Sequence, residues 1–244
     1  MNTTRNTSVI LIALVVAGIA AQAVMAQEQM KAPTPDVPEL YTIKGQFTRI
    51  AYNNEGWITL GYRTANSSQG DEWMLLEAGV NILKPHPNHT LTRADFSVKM
   101  PDGSMVPMAS REEYVKAGYL RALNQRARVV RDSINYFPAG ANQGCPMLFF
   151  SDPAQGPGAL MWDQFEISTQ RACVGRLFFK MPEGQKIEPG QYWLSVKFAG
   201  STVEAPFRIM TKEEEKYFSK NWKDLKKEHD AFLKRELEKA KKQQ

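Results

Sequence analysis

The chain has 244 residues, of which 43% are hydrophobic, with 31 basic and 26 acidic side chains. The net charge of +5 is uneven, because residues 27–210 carry 19 basic and 18 acidic side chains whereas residues 211–244 carry 11 and 8. A nearly neutral body argues against a nucleic-acid-binding surface, and the apolar content is sufficient for one buried core.

The N-terminus has the pattern of a secretory signal peptide. Arg5 is the only charged residue before Glu28, and Val9–Ala23 is a run of 15 uncharged residues. This run is shorter than the roughly 20 residues of a membrane-spanning helix, and Ala26 supplies the small residue of a cleavage site. We therefore predict cleavage after Ala26 and a periplasmic or secreted protein, with an uncleaved N-terminal anchor as the alternative. Residues 27–40, which contain three prolines, are predicted to be a linker.

From residue 41 to residue 210, short β-branched and aromatic segments are separated by turn residues, which predicts a mainly β protein with an antiparallel β-sandwich. Tyr41–Tyr52 is predicted as one strand, and Glu72–Leu83 as a long strand with a β-bulge at Gly79. Alternating apolar residues predict a two-layer core built from residues 41–109 and 145–210. The residues expected to be buried in it are Phe96, Val98, Leu177, Phe179, Leu194, Val196, Phe207 and Ile209.

A helical insert is predicted to interrupt the strands at about residues 110–131. It begins with a capping box, in which the side chains of Ser110 and Glu113 satisfy each other's backbone N–H groups. Apolar residues then recur at helical spacing, so this face is predicted to pack against the core. The predicted apolar stripe consists of Val115, Tyr119, Ala122 and Leu123.

The chain has two cysteines, Cys145 and Cys173. In an oxidising compartment an even number of cysteines usually indicates disulfide pairing, so we predict one disulfide between the strand after the insert and the strand Arg171–Met181. There is no C-x-x-C spacing, which disfavours a redox-active pair. Two buried and unpaired thiols are the remaining alternative.

Residues 211–244 are predicted to form one amphipathic, charged helix, which begins at a second capping box formed by Thr211 and Glu214. Its apolar stripe consists of Phe218, Trp222, Leu225, His229, Phe232, Leu233 and Leu237. The first part of this stripe is expected to rest on the body, whereas the helix beyond Phe232 is expected to project. Phe232, Leu233 and Leu237 are therefore the predicted partner-binding residues, with packing of the whole stripe on the body as the alternative.

The pattern of strands and turns also resembles a known family. The segments that carry the resemblance are Trp57–Ser68 (WITLGYRTANSS), Asp95–Val106 (DFSVKMPDGSMV), Gly175–Pro182 (GRLFFKMP) and Glu188–Phe198 (EPGQYWLSVKF). Together they resemble exported immunoglobulin-like domains of the telokin-like group, over about residues 41–210. The resemblance implies an immunoglobulin-like β-sandwich and supplies no catalytic residues. The insert and the C-terminal helix depart from the family pattern.

The sequence lacks the common catalytic motifs. We find no G-x-S-x-G, P-loop, G-x-G-x-x-G or H-E-x-x-H motif, and the three histidines are His86, His89 and His229. A hydrolase that uses a pair of carboxylates stays open as a third hypothesis, because such a pair has no sequence signature.

Two groups of residues point to an exported ligand-binding protein instead. An H-x-x-H pattern and three following methionines would suit copper(I), and tryptophans on a sheet face can stack on sugar rings. These residues are His86, His89, Met100, Met105 and Met108 for the metal, and Trp57 and Trp193 for the sugar. Each group also has a structural interpretation, since methionine commonly fills gaps in cores and the insert can cover the tryptophans.

The preferred hypothesis is an exported, non-enzymatic interaction or envelope-associated module without a cofactor or metal. Its partner would be a protein of the cell envelope or a second copy of the chain, and it would meet the membrane only through its signal sequence. The exported ligand-binding sandwich is the alternative hypothesis.

Overall fold

In the computed structural model, which describes residues 40–117, 120–130, 132–151 and 160–242, the protein is mainly β. The strands are β1 Leu40–Gly45, β2 Thr48–Tyr52, β3 Gly56–Gly61, β4 Trp73–Ile82, β5 His89–Thr92, β6 Phe96–Lys99, β7 Met105–Pro107, β8 Asn142–Met147, β9 Gln164–Ile167, β10 Arg171–Lys180, β11 Gly190–Lys197 and β12 Thr202–Ile209. The α-helices are α1 Arg63–Asn66, α2 Arg111–Lys116, α3 Leu120–Val129, α4 Lys212–Lys220 and α5 Trp222–Lys242. The predicted signal peptide and all of the predicted linker except Leu40 lie outside the described residues.

The strands form a large sheet, a second sheet and a small sheet. Their strand orders are β1-β2-β3-β4-β10-β8, β12-β11-β6-β7 and β5-β9. The pairs are antiparallel, as predicted, except that β8 lies parallel to β10. Between β8 and β10 the chain leaves the large sheet and forms β9, which pairs with β5. This long connection allows β10 to enter the sheet in the same direction as β8.

One hydrophobic core joins the large and second sheets. All eight residues predicted to be buried have exposed fractions of 0–1% and belong to this core, which confirms the predicted inward faces of the strands. The rings of Tyr62 and Phe207 meet across the two sheets with their centroids 5.5 Å apart. Burial of each large apolar side chain stabilises the fold by about 1.5–3 kcal/mol.

The predicted single strand Tyr41–Tyr52 is a hairpin. β1 and β2 pair antiparallel from Leu40 opposite Tyr52 to Gly45 opposite Thr48. The turn between them carries Phe47, whose ring is buried against Tyr62 at a centroid distance of 5.4 Å. An apolar residue in the turn continues the strand-like pattern, which is why the sequence did not reveal the reversal.

The predicted bulge at Gly79 is also wrong. Gly79 keeps an unbroken register in β4, opposite Thr59 on one side and Val174 on the other. A Cβ atom at this position would lie 2.3 Å from the ring of Phe137. The glycine is therefore explained by the close approach of another segment to the sheet.

The insert contains two helices. Ser110 and Glu113 make the predicted capping box, with the Glu113 N–H donating to Ser110 Oγ at 3.1 Å. The helix ends after Lys116, and the described chain resumes helical geometry at Leu120. This break changes which face is apolar, because a stripe extrapolated at 3.6 residues per turn does not continue across it.

The insert's buried face therefore differs in part from the predicted stripe. Leu123 is buried as predicted, whereas Val115 is 65% exposed and Ala122 is also exposed. Tyr119 lies outside the described residues. Tyr114 takes the inward position in α2 and packs its ring 5.0 Å from that of Phe178.

The C-terminal segment is divided at Asn221 into α4 and α5, whereas the sequence predicts one continuous helix. The capping box at Thr211 and Glu214 is present as predicted. At the division, both the backbone N–H and the side-chain amide of Asn221 donate to the carbonyl of Tyr217, at 3.0 and 2.8 Å. Such side-chain competition for a backbone carbonyl is a common cause of a helix end.

Candidate functional site

Helix α4 is fixed to the end of the second sheet by polar contacts. The side-chain oxygen of Asn66 accepts from the Met210 N–H at 2.7 Å, and its amide nitrogen donates to Glu215 at 3.1 Å. The side chain of Gln69 donates to the Met210 carbonyl at 2.6 Å. Both the N–H and the carbonyl of Met210 are therefore bound by side chains of the body. This fixes the direction in which the C-terminal helices leave the body.

Of the residues expected to rest on the body, Phe218 does so. Phe218 packs against the main core, and the guanidinium of Arg49 lies 6.0 Å from the centre of its ring. Ser219 Oγ donates to Gln46 Oε1 at 3.4 Å. Trp222 and Leu225, which follow on the same stripe, are half-buried.

Helix α5 then runs antiparallel to the edge strand β1. Ser219, near the end of α4, lies beside Gln46, just beyond the end of this strand. Ten residues later, in α5, His229 Nε2 lies 2.8 Å from the carbonyl oxygen of Tyr41, near the beginning of the strand. The rings of His229 and Tyr41 are also in contact, with centroids 4.7 Å apart. The helix thus covers an edge that would otherwise present unpaired backbone groups to other chains.

The predicted partner-binding residues lie beyond this contact, on the last part of α5. The helix continues from His229 to Lys242, a further rise of about 20 Å at 1.5 Å per residue. Phe232 is 46% exposed, whereas Leu233 and Leu237 are half-buried. We call residues 232–242 the distal arm; its role in binding stays a prediction.

The two cysteines lie opposite each other on neighbouring strands. Cys145 in β8 is in register with Cys173 in β10, and their sulfur atoms are 2.09 Å apart. This agrees with the predicted disulfide. The bond attaches β8, the outermost strand of the large sheet, to the strand at its side.

A cleft that the sequence did not predict opens on the outer face of the large sheet. Its volume is about 510 Å³, and strands β4 and β10 lie beneath residues 132–135. We call residues 132–137 the strap. The lining residues are Glu77, Asp132, Ser133, Ile134, Asn135, Val174, Gly175 and Arg176.

The strap is held by hydrogen bonds from strand β3 and from helix α1. The carbonyl of Tyr136 accepts from Trp57 Nε1 at 2.9 Å and from Thr59 Oγ1 at 2.7 Å. Arg63 makes two hydrogen bonds to the carboxylate of Asp132, at 2.9 and 3.0 Å. These contacts fix both ends of the strap and therefore the shape of the cleft.

Charged residues of both signs line the cleft. Glu77 and Arg176 are opposite each other in neighbouring strands, and Glu77 is only 9% exposed. Arg176 Nε lies 3.7 Å from Glu77 Oε1, which is longer than a hydrogen bond, while Arg176 Nη1 donates to Asn124 Oδ1 at 3.0 Å. A signal for these residues existed in the sequence, since each is a charge in the middle of an otherwise apolar strand.

The tryptophans of the sugar-binding hypothesis have structural contacts. Trp57 stacks on Tyr52 with ring centroids 4.9 Å apart, in addition to its hydrogen bond to the strap. Lys99 Nζ lies 5.1 Å from the centre of the Trp193 ring. Both tryptophans are half-buried.

The residues of the metal hypothesis are divided between core and surface. Met100 and Met108 are buried in the main core, whereas Met105 is 50% exposed. His89 lies in β5, which pairs with β9. Within the described ranges, no three or more His, Cys, Asp and Glu side chains are grouped in a way that could hold a metal ion.

A buried carboxylate outside the cleft is engaged in a structural contact. Glu55, at the turn between β2 and β3, accepts from the Gly200 N–H at 2.8 Å and from Ser201 Oγ at 2.6 Å. Asn53 Nδ2 also donates to Ser201 Oγ at 2.8 Å. These contacts join turns of the two main sheets and supply a structural reason for this buried charge.

Comparisons of the chain with protein-family models, with curated proteins and with solved structures found no match. Among the helices of the described residues, none has both the length and the apolar character needed to cross a membrane. The functional argument therefore uses two features of the structure: a β-rich body and a helix along one sheet edge.

Proposed function

We propose that the protein is an exported, non-enzymatic interaction module with an immunoglobulin-like β-sandwich body. It binds a protein partner of the cell envelope, or a second copy of itself, through the distal arm. The binding residues are Phe232, Leu233 and Leu237.

The observation that carries this proposal is the path of the C-terminal helices. Contacts from Phe218 to His229 attach them to the body, and the helix then continues for about 20 Å. An anchored helix can present side chains in a fixed geometry, which lowers the entropic cost of binding. The large exposed fraction of Phe232 supplies the kind of aromatic anchor that interfaces favour.

Export is supported by two independent features. The N-terminal segment has the organisation of a signal peptide, and the cysteines lie at disulfide distance, as is typical of proteins that fold in oxidising compartments. Mass spectrometry of the protein recovered outside the cytoplasm should show an N-terminus at Gln27. An intact N-terminus would instead support the uncleaved anchor.

The binding proposal is tested with the chain lacking residues 1–26, purified in its oxidised form. The variant F232A/L233A/L237A is compared with K234A/E238A, which changes two exposed residues of the same helix without altering its net charge. Sedimentation velocity measures self-association, and pull-down from the producing organism's envelope fraction measures partner capture.

We expect the apolar variant to lose association or capture, and the charged variant to retain it. Removal of an anchor residue typically costs more than about 1 kcal/mol, or roughly fivefold in affinity. Equal behaviour of both variants and the parent would contradict a role of the distal arm.

A further inference from the structure

We propose that the outer edge of strand β1 is a pairing surface for a second copy of the chain, and that helix α5 controls access to it. β1 is a terminal strand of the large sheet. α5 covers its edge, where His229 contacts the backbone and the ring of Tyr41. When α5 moves away, the edge is free to pair with β1 of the second copy.

The terminal strands of the two main sheets are protected in two different ways. β7, β8 and β12 each contain a proline, which has no N–H group to offer a neighbouring strand. These residues are Pro107, Pro146 and Pro206. β1 contains no proline, and α5 lies along it instead. A strand that is protected only by a helix keeps its ability to pair once the helix is displaced.

The hydrogen bonds of strand β2 show which residues of β1 face its free edge. Just before β2, the carbonyl of Phe47 accepts the Tyr62 N–H, which follows β3, at 3.0 Å. Successive residues of an antiparallel strand bond to opposite sides, so Ile50, three residues after Phe47, bonds toward β1. Thr42 is opposite Ile50 in β1 and therefore bonds to β2.

Tyr41 and Ile43, on either side of Thr42, consequently direct their backbone N–H and C=O groups toward the free edge. The contact between His229 and the Tyr41 carbonyl independently shows this direction. The edge of β1 thus offers the alternating donors and acceptors that another strand requires.

These outward groups are self-complementary, which indicates a second copy as the occupant. In an antiparallel pair about a two-fold axis, Tyr41 of each copy lies opposite Ile43 of the other, and each such pair exchanges both of its N–H···O bonds. Thr42 then lies opposite Thr42 of the second copy. Lys44 lies opposite Leu40 of the second copy, so the pairing places no like charges opposite each other.

Helix α5 can leave β1 while α4 stays in place. The two helices are divided at Asn221, and α4 has its own attachment through Phe218 and the contacts at Met210. Among the side chains that the structure describes in α5, none is fully buried. An element with few buried contacts opens at a low cost in free energy, which gives a minor population with a free β1 edge.

The pairing surface lies on β1 and not on the distal arm, so its failure would leave the proposed function unaffected. The test places a cysteine at the centre of the expected pair, in the chain lacking residues 1–26. Thr42→Cys would face its own copy in a pair whose Cα separation permits a disulfide. Lys44→Cys is the matched control, because this exposed position would face Leu40 of the second copy.

The position of α5 is then varied in the T42C protein. H229A removes the contact of α5 with β1, and W222A/H229A also removes its ring contact with Phe218. K216A/E228A is the control, since it changes exposed residues of both helices without altering the net charge. Gel electrophoresis after oxidation measures the rate of covalent dimer formation, and peptide mapping locates the bond.

We expect W222A/H229A to form the dimer bonded at position 42 at least about tenfold faster than T42C alone, because pairing scales with the fraction of molecules whose edge is free. H229A should give an intermediate rate, and K216A/E228A should not change it. The same release of α5 should not accelerate bonding in the K44C protein.

Equal rates with α5 in place and released would overturn the proposal, and so would equal acceleration of T42C and K44C. Sedimentation velocity of H229A and W222A/H229A without the added cysteine is a second measurement. Both should dimerise more strongly than the parent, and unchanged association at about 100 µM would also contradict pairing through β1. The H229A comparison decides the matter if W222A/H229A fails to fold.

Discussion

The ring of Phe137 occupies the space that a side chain on Gly79 would need. A Cβ atom on Gly79 would lie 2.3 Å from Phe137 Cζ and 2.7 Å from Cε1. Ile134 stands in a similar relation to Gly61, at 2.9 Å. Two glycines in neighbouring strands therefore create the depressions in which the strap lies, and the cleft exists because the strap is seated there.

The variant Gly79→Ala should destabilise the protein by about 1–3 kcal/mol, because the added methyl group forces Phe137 out of its place. Urea unfolding measures the change in free energy. The double variant G79A/F137A provides the control, since removal of the ring should relieve the overlap. A simple sum of the two single effects would contradict the contact between these residues.

Loss of either capping box should lower stability by about 1 kcal/mol. Ser110→Ala removes the cap of α2, and Thr211→Ala removes that of α4. The first should also loosen the insert, and the second the attachment of the C-terminal helices. Thermal unfolding followed by circular dichroism measures both effects, with substitution of the exposed Ser104, which caps no helix, as a reference.

The carboxylates of the two capping boxes should make the free energy of unfolding decrease at acid pH. The backbone N–H of Ser110 donates to Glu113 and lowers the pKa of this carboxyl, and the side chain of Arg208 does the same for Glu214. Because the folded-state pKa is lowered, this stabilisation is complete above the ordinary value of 4.5 and is lost as pH falls through the folded-state pKa. Unfolding measured from pH 7 down to acid pH should show a smaller loss in the variant E113Q/E214Q. An unchanged pH profile would contradict this assignment.

Tyr62 should resist ionisation in alkali. Burial raises its pKa to about 12, although the nearby guanidinium of Arg49 acts in the opposite direction. The hydroxyl donates to the carbonyl of Gln46 at 3.0 Å. Because the folded-state pKa is raised, stability should be unaffected below the ordinary value of 10.0 and fall by about 2–3 kcal/mol as pH rises to about 12. Burial also raises the pKa of Tyr52 and of Tyr192. Absorbance titration at 295 nm should therefore show late-titrating phenols, and Tyr62→Phe should reduce their amplitude.

Removal of the disulfide should destabilise the protein substantially. Cys145 and Cys173 are separated by 28 positions in sequence, and closing such a loop in the unfolded chain corresponds to about 3.5 kcal/mol in the chain-entropy account. The variant C145S/C173S is compared with the parent protein by urea unfolding under oxidising conditions. A loss well below 1 kcal/mol would show that β8 is held by other contacts.

Two deletions should separate the anchored part of the C-terminal segment from its distal arm. Deletion of residues 234–244 should leave the melting temperature nearly unchanged. Deletion of residues 211–244 should lower it by several degrees, because Phe218 and its neighbours lose their contacts with the core. Differential scanning calorimetry distinguishes the two results, and equal destabilisation by both deletions would contradict the projecting arm.

The inward faces of the strands could be predicted because alternation is a local property of the sequence. Phe207 and Ile209 alternate with polar or small residues, and both are fully buried. The capping boxes at Ser110 and Thr211 could be predicted for the same reason, since their partners lie three residues away. The pairing of the cysteines followed from their number.

The sequence by itself thus determined the mainly β character, the two helix starts and the residues of the core. Only the tertiary structure decided where the helices break, that β8 lies parallel to β10, and that Gly79 receives a ring from the strap. The cleft likewise joins residues from β4, the strap and β10, which lie far apart in the chain. Periodicity reports which side of a segment is buried, but it does not report which distant segment covers it, because that choice depends on the packing of the whole molecule.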